Sequence, residues 1–416
     1  MDKIRWGVLG AASIARTRSL QAMKLAPSVE VAGLASRSVD KATALCTDFD
    51  LPRAFDSYEA LLADPDIDAV YLPLPNALHT EWATKAMEAG KHVLCEKPLA
   101  LTIEEIADLQ AVRDRTGKHI EEAFVYRNHP QWATIRDILE GAGSDSAIGP
   151  GIGRPRSAHL TMAMQFHDPN DIRNNPELGG GALYDMGGYV ISALTMIFGR
   201  DPLRVMATLE RDPVMRVDRL TTAVLDYGDA HGVLTVGTQA GPNGRGSHQL
   251  LSILGSTGWL RADYPLAHAR PTECHLYLGN DQSYGGFETS TITFPPVNQY
   301  TLQAERFSRR LLGDKVPTWP IEDARTTLGI INALFESAAN NRWEPIVKPH
   351  NGGEVSLERG DRVVAVRDIN TTQGIRIPQG TEGTIAEDRG SNLVVYFEEE
   401  PQRTSVEEQD LDKLIE

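Results

Sequence analysis

Cysteine is scarce in this chain of 416 residues: Cys46, Cys95 and Cys274 stand far apart with no Cys-x-x-Cys, which offers neither a disulfide framework nor a zinc site. A reducing, cytoplasmic setting fits that usage. Long apolar runs are lacking too. No stretch approaches the roughly 18 residues of a membrane-spanning helix, and the chain enters a strand at once without a cationic leader, so neither membrane insertion nor signal-directed export is expected. Basic excess is also missing: 57 acidic residues against 41 Lys and Arg give a net charge of -16, which argues against nucleic acid or an anionic membrane as main partner. No cluster of His and carboxylates is visible in the sequence, so no metal is expected. What is present, 41% hydrophobic and 24% charged residues, belongs to a globular protein too long for one core. Two or three domains are expected.

Residues 1–122 alternate short apolar strands with helices of roughly 10 to 15 residues, the pattern of an α/β domain with a doubly wound parallel sheet, a Rossmann arrangement. Ile4 to Leu9 is the first strand. Gly7-Val8-Leu9-Gly10-Ala11-Ala12 then turns into a helix, a G-x-x-G-A-A variant of the dinucleotide fingerprint. Small residues let the backbone approach a pyrophosphate, and the helix N-terminus adds free N–H groups. Gly7, Gly10, Ala11, Ala12, Ser13 and Ile14 are the candidate contacts.

The second strand, Val29 to Ala35, ends in Ser36-Arg37 and lacks the Asp or Glu that would select a free ribose 2′-hydroxyl. Arg37 with Ser36 suits a 2′-phosphate, so NADP is preferred over NAD. Two prolines stop the next strand, and Pro73, Leu74, Asn76 and His79 should form a second wall of the cofactor crevice. Asn76 is expected to cap the helix from His79, whose imidazole reads as structural.

The strand His92 to Cys95 runs into Glu96-Lys97-Pro98. Ligands bind outside the carboxyl ends of parallel strands, which puts Glu96 and Lys97 where cofactor and substrate meet. Pro98 keeps Lys97 out of helical geometry, and a cis Lys97–Pro98 bond is compatible with this placement.

Beyond residue 123 the pattern becomes strand-like alternation, from Arg156 to Met164 and in four further stretches up to Gly255. An α+β domain over 123–347, with a large, mostly antiparallel open sheet, is the simplest reading. Interrupting it, Gly179-Gly180-Gly181 leads to Asp185 and Tyr189, spaced to share one helix face.

Taken in order, G-x-x-G-A-A, Ser36-Arg37, Pro75-Asn76-x-x-His79 and Glu96-Lys97-Pro98 resemble the glucose-fructose oxidoreductase / inositol dehydrogenase (Gfo/Idh/MocA) superfamily. Glu122-Ala123-Phe124-Val125-Tyr126-Arg127-Asn128-His129-Pro130-Gln131 looks most like its NADP-linked aldose (xylose) dehydrogenase and dimeric dihydrodiol dehydrogenase branch. The resemblance covers roughly residues 1–347 and implies hydride transfer between nicotinamide and a sugar or diol. It assigns Tyr189 to proton transfer, Lys97 as its electrostatic partner and Asp185 to substrate orientation. Tyr189 stands where inositol dehydrogenases carry His, which favours sugar or dihydrodiol chemistry. A free tyrosine titrates near pH 10, so an ammonium beside it and bound oxidised nicotinamide are both expected to favour the phenolate and lower its pKa; Lys97 as the base remains the swapped alternative. Tyr126, Arg127, His129 and Asn174 are further pocket candidates, and Arg173 can reach cofactor or substrate. A homodimer or homotetramer through the open sheet is the family expectation.

Residues 354–416 depart from that pattern. Short strands separated by Gly, Pro and Asn turns look like a small SH3-like β-barrel, and 15 acidic against 7 basic residues make nucleic-acid binding by it unexpected. Two rival functions stay open: a non-catalytic NADP-binding sensor, and a glycosidase that uses bound nicotinamide for transient oxidation.

Overall fold

The computed structural model describes residues 2–141, 151–241, 247–268, 271–280 and 288–346, and beyond them the strands between 362 and 414. Contacts divide the chain into Met1–Glu344 and Pro345–Glu416.

The first unit opens with six parallel strands: β1 (Ile4–Leu9), β2 (Val29–Ala35), β3 (Ala54–Phe55), β4 (Ala69–Leu72), β5 (His92–Cys95) and β6 (Ile120–Glu122). Their order is β3-β2-β1-β4-β5-β6. Both faces are covered by helices, so the strands read as nearly unbroken apolar runs; Trp6, Val8, Leu9, Val70, Leu72, Val93 and Cys95 have no exposure. The order reverses between β2 and β4 on either side of β1, and the crevice at the carboxyl ends there is the ligand position of such sheets.

Local chemistry sets the helix ends. Ser38 caps α2 (Val39–Asp48) and Ser57 caps α3 (Tyr58–Ala63), each accepting a backbone N–H. Thr102 and Glu105 form a reciprocal capping box on α5 (Ile103–Thr116), which stops at Gly117 with φ +65°. Asn76 does not cap α4 (His79–Glu88) as expected: the chain first makes a 3₁₀ turn, Asn76–Leu78, and the Asn76 amide instead donates to Gly179 O at 2.9 Å.

The second sheet has nine strands: β7 (Pro155–Ala163), β8 (Arg204–Arg211), β9 (Asp218–Asp226), β10 (His231–Gly237), β11 (His248–Gly255), β12 (Trp259–Asp263), β13 (Cys274–Asn280), β14 (Glu288–Phe294) and β15 (Glu344–Pro345). They lie in the order β14-β13-β12-β11-β7-β10-β9-β8-β15. It is a mixed sheet, because β7 and β10 pair in parallel while β11 and β9 run antiparallel to them.

Helices α7 (Gly188–Phe198) and α9 (Glu322–Asn340) pack on it. The chain then returns to the first sheet. Ala304 and Phe307 of α8 (Gln299–Leu311) enter the core on one face, while Ile321, Ala324 and Leu328 enter the core on the other. Trp6 Nε1 donates to Ser308 Oγ at 3.0 Å, and the Trp6 and Phe307 rings lie 5.2 Å apart. Helix α9, packed on β8 and in the core of the first sheet, joins the two sheets.

In the second unit the described strands β16 (Arg362–Ala365), β19 (Glu382–Asp388), β20 (Asn392–Phe397), β21 (Arg403–Glu407) and β22 (Leu411–Leu414) form an antiparallel sheet in the order β21-β20-β19-β16-β22, and β17 (Ile369–Asn370) pairs separately with β18 (Arg376–Ile377). The linker expected at 348–353 lies outside the described residues. One helical stretch, Pro176–Phe198, is apolar enough by composition to cross a membrane, but 72% of its most apolar window is buried in the protein.

Candidate active site

β5 delivers Lys97 to the carboxyl edge of the parallel sheet, and the Lys97–Pro98 peptide bond is cis. Its ammonium donates to Asp185 Oδ1 at 2.6 Å and to Asp185 O at 2.7 Å. Asp185 Oδ2 accepts from Arg173 Nε at 2.7 Å, and Arg173 also pairs with Asp171 at 3.2 Å. One carboxylate thus holds two cations, with Lys97 and Asp185 side chains only 12% and 15% exposed. Burial alone would raise the Asp185 pKa, but Arg173 and then Lys97 outweigh it and hold the carboxyl well below its usual range.

Asp185 sits in a π-helical turn, Leu183–Gly187, that runs into α7. Gly181, at φ +118°, makes the entry, where a Cβ would lie 2.0 Å from Asp218 Oδ1. The expected shared face is present: Lys97 Nζ contacts Asp185 and lies 5.3 Å over the Tyr189 ring. Phe124 and Tyr126 pack the same ring at 5.2 and 6.1 Å. Tyr189 is 6% exposed, and its hydroxyl has no hydrogen-bond partner among the described residues.

The expected lowering of the Tyr189 pKa is not found. Burial, followed by Tyr300, Glu96 and Asp185, pushes the phenol well above its ordinary value. The physical reason is burial of the phenol, with the Lys97 ammonium committed to Asp185 over the ring face.

Glu96 is buried and accepts from Tyr71 at 2.6 Å; the Ser19 hydroxyl donates to that same phenol oxygen at 2.9 Å. His79 has no exposure, and its ring nitrogens face Leu74 O and Pro98 O at 2.8 and 2.7 Å, so it ties the second crevice wall to the Lys97 loop. That is the structural role its position suggested.

At the glycine turn, Gly10 adopts φ +124°, and a Cβ there would meet Leu74 Cδ2 at 2.9 Å. Only glycine lets the turn pass this close to the Pro73–Leu74 wall. Ala11, Ala12 and Ile14 are half-buried and Ser13 exposed at the start of the following helix, where first-turn N–H groups lack intrahelical partners. Gly7 lies deeper, against Leu61. Ser36 is buried, whereas Arg37 is exposed with its charge acting on the Tyr58 hydroxyl, which itself lies 3.8 Å from the Gly10 Cβ position. A cradle closed to any Cβ, with a free helix start and an exposed guanidinium at the end of β2, fits a dinucleotide.

Several substrate candidates lie elsewhere. Tyr126 has no exposure, and its hydroxyl pairs with Ser192 Oγ at 2.8 Å. Arg127 pairs with Asp323 and donates to Ser192; Asn174 is 4% exposed and donates to Phe166 O and Asp168 O. Tyr126 and Arg127 support the wall behind Tyr189, and Asn174 ties its own segment back to residues 166–168. Three neighbours carried no sequence signal. Arg18, Tyr58 and Tyr300 reach the site only through the tertiary fold: Tyr300 and Arg18 both act on Tyr189.

His129 lies apart, capping α6 (Pro130–Leu139) and meeting His268 and Cys274 in a buried trio whose ligand atoms lie within 4.8 Å of one another. Gln131 N–H donates to His129 Nδ1, which leaves the hydrogen on Nε2, 3.8 Å from Cys274 Sγ; His268 Nε2 faces Tyr264 O, and the Cys274 thiol, 3.7 Å from the His268 ring nitrogens, donates to Thr272 O at 3.4 Å. Burial lowers His129 to about 4 and raises Cys274 to about 11, keeping both neutral. The trio is a satisfied hydrogen-bond network.

Comparison with known proteins agrees with this geometry. Residues 4–124 match the oxidoreductase family with an NAD-binding Rossmann fold, GFO_IDH_MocA, and residues 150–261 its C-terminal domain. An uncharacterized oxidoreductase of Rhizobium meliloti is 40% identical over 347 residues, 83% of this chain and 100% of the relative. A D-xylose 1-dehydrogenase (NADP(+)) of Haloferax volcanii is 32% identical, over 80% of this chain and 97% of its own. Among solved structures, a 3-ketoreductase from Actinomadura kijaniata in complex with NADP and TDP-benzene aligns with TM-score 0.71 and 30% identity, covering 81% and 98% of the two chains. With its glycine turn, Glu96-Lys97-Pro98 loop and Asp185–Tyr189 helix, the chain belongs to the Gfo/Idh/MocA family of NAD(P)-dependent oxidoreductases.

Proposed function

We propose that this oxidoreductase uses NADP to oxidise a sugar, an aldopyranose or related diol, with Tyr189 and Lys97 handling the proton. The observation that carries the reading is the uncommitted Tyr189 hydroxyl beside a Lys97 ammonium fixed by Asp185, at the carboxyl edge of β5. Variants of the Actinomadura ketoreductase that replace a tyrosine by phenylalanine and a lysine by alanine or glutamate have been solved, and these residue types match the proposed pair.

The turn from Gly10 to Ser13 would hold the pyrophosphate, Ser36 and Arg37 the 2′-phosphate, and Pro73 and Leu74 the opposite wall. NADP supplies the hydride acceptor and a positive ring when bound. Asp185 fixes Lys97 and Arg173 and thereby orients a sugar hydroxyl toward Tyr189. As phenolate, Tyr189 would take the hydroxyl proton as the substrate carbon gives up hydride, with the Lys97 ammonium and the positive ring of bound NADP favouring that phenolate.

Arg37→Glu should weaken NADP binding by about 10- to 100-fold, the worth of one charge-assisted contact, while leaving NAD nearly unaffected. Equal weakening of both, measured by fluorescence titration, would remove Arg37 from the 2′-phosphate site.

The function itself is tested by NADPH absorbance with a panel of aldoses, polyols and dihydrodiols. Turnover of a sugar with NADP is expected; tight NADP binding without turnover would favour the sensor. Three free, buried cysteines suit the cytoplasm. Leu220, Val224, Val233 and Leu250 stay partly exposed along the second sheet, and we assign that face to a dimer or tetramer contact. The small β unit beyond Pro345 we read as SH3-like.

A further inference from the structure

The strand that delivers Lys97 has a second end, away from the hydride chemistry. At its start His92 Nδ1 accepts from His119 N–H at 2.9 Å, which leaves the ring hydrogen on Nε2, and that nitrogen has no protein partner among the described residues. Beside it opens a cavity of about 550 Å³, walled by His92, Arg113, Asp114, Lys118, His119 and Arg310. The cavity lies at the amino ends of β5 and β6, whereas the cofactor crevice lies at the carboxyl edge. At the usual rise per strand residue, His92 is roughly 16 Å from Lys97.

In a chain of net charge -16 this wall reverses the sign, with three Lys and Arg side chains against one Asp. The carboxylates around it are already committed. Asp114 and Glu322 pair with Arg113, Glu121 with His119 and Arg306, and Asp68 with Arg5. Half-buried Lys118 and exposed Arg310 are left without a carboxylate partner among the described residues. Arg113 and Arg310 stand in the last turns of α5 and α8, where a cation suits the carbonyl end of a helix. Lys118 has no such reason to be there, because it follows Gly117, past the end of α5. The His92 imidazole stays neutral: burial, then the charges of Lys118 and His119, lower it to about 4, so Nε2–H donates without adding charge.

We infer that this pocket binds the phosphate group of a small polar metabolite, with Lys118 and Arg310 neutralising the dianion and His92 Nε2–H donating to one oxygen. The three groups come from the start of β5, the loop after α5 and the end of α8, and donors converging from three sides suit a tetrahedral phosphate better than a planar carboxylate. The volume is that of a small-molecule site. Its wall has no Phe, Tyr or Trp on which a base could stack, and Leu311 is its one apolar side chain, so the rest of the ligand is itself polar, a sugar or polyol. Asp114 gives Oδ1 to Arg113 and keeps Oδ2 to accept hydroxyls from such a ligand. The site is independent of the sugar-oxidation reading.

The test uses the full chain saturated with NADPH, which occupies the glycine turn and Arg37 and allows no oxidation. Inorganic phosphate and, separately, glucose 6-phosphate are titrated in by calorimetry. Saturable phosphate binding is expected. Lys118→Ala and Arg310→Ala should each weaken it by about 10-fold, the low end for a charge-assisted contact, and the double variant should abolish it. NADPH affinity should stay at the wild-type value in all three, which shows that the fold is intact. Tighter binding of glucose 6-phosphate than of phosphate, lost in the double variant, supports the pocket with a phosphorylated sugar as its ligand; equal binding of the two supports it with free phosphate. Absence of binding to the wild-type chain, or phosphate binding that both single variants retain in full, overturns the site.

Discussion

Tyr189→Phe is expected to lower kcat by about 100- to 10,000-fold, the range of a positioned proton-transfer group, with little change in NADP affinity. The ring is held by Phe124, Tyr126 and the Lys97 ammonium, all contacts that phenylalanine retains, so the change removes one oxygen from an otherwise unaltered wall. That oxygen has no protein partner among the described residues to leave stranded. Fold and cofactor site should therefore survive. Rapid-mixing measurements of NADPH formation, together with NADP titration, separate the two effects. Equal loss of turnover and binding would make Tyr189 a structural residue and shift the base to Lys97.

Asp185→Ala should destabilise the protein by about 3 kcal/mol, the lower end for removing one partner of a buried ion pair, because Arg173 keeps 33% of its side chain in solvent. Two cations would be left facing each other without the carboxylate. Activity should also collapse, since Lys97 loses both its anchor and its direction. The pH dependence follows from the sign of the shift. A carboxyl depressed in the folded state contributes above its unfolded pKa, 3.8, and loses that contribution only as pH falls through the lower folded value. The stability gap between wild type and variant should thus stay constant from neutral pH down to about 4 and close in stronger acid. A gap that closes by pH 6 in denaturant titrations would show that the network is not what holds this turn.

The parallel sheet and the glycine turn were legible because both are local: apolar runs, spacing and small residues are written in consecutive positions. The Lys97 and Asp185–Tyr189 stretches could be named for the same reason. What joins them was not legible. Nothing near Lys97 in sequence says that its ammonium faces Asp185, 88 residues away, rather than the Tyr189 hydroxyl, and so the sign of the tyrosine shift came out reversed. Tyr126 and Arg127 have the polarity of pocket residues, but their partners, Ser192 and Asp323, come from distant segments. Asn76 looked like a cap by local rule and was drawn instead to a tertiary acceptor, Gly179 O. Arg18 sits in a π-helical turn, Ala15–Ser19, and Tyr300 on α8, and only the return of α8 onto the first sheet brings Tyr300 to the site.

The most direct test follows the hydride itself. A sugar turned over in the panel, carrying deuterium at the carbon to be oxidised, is incubated with the enzyme and NADP, and the reduced cofactor is examined by mass spectrometry. Deuterium in the NADPH, with slower turnover of the labelled sugar, is the predicted result. Oxidised sugar with no label in the cofactor, or free sugar released from a glycoside with no net NADPH, would contradict the account.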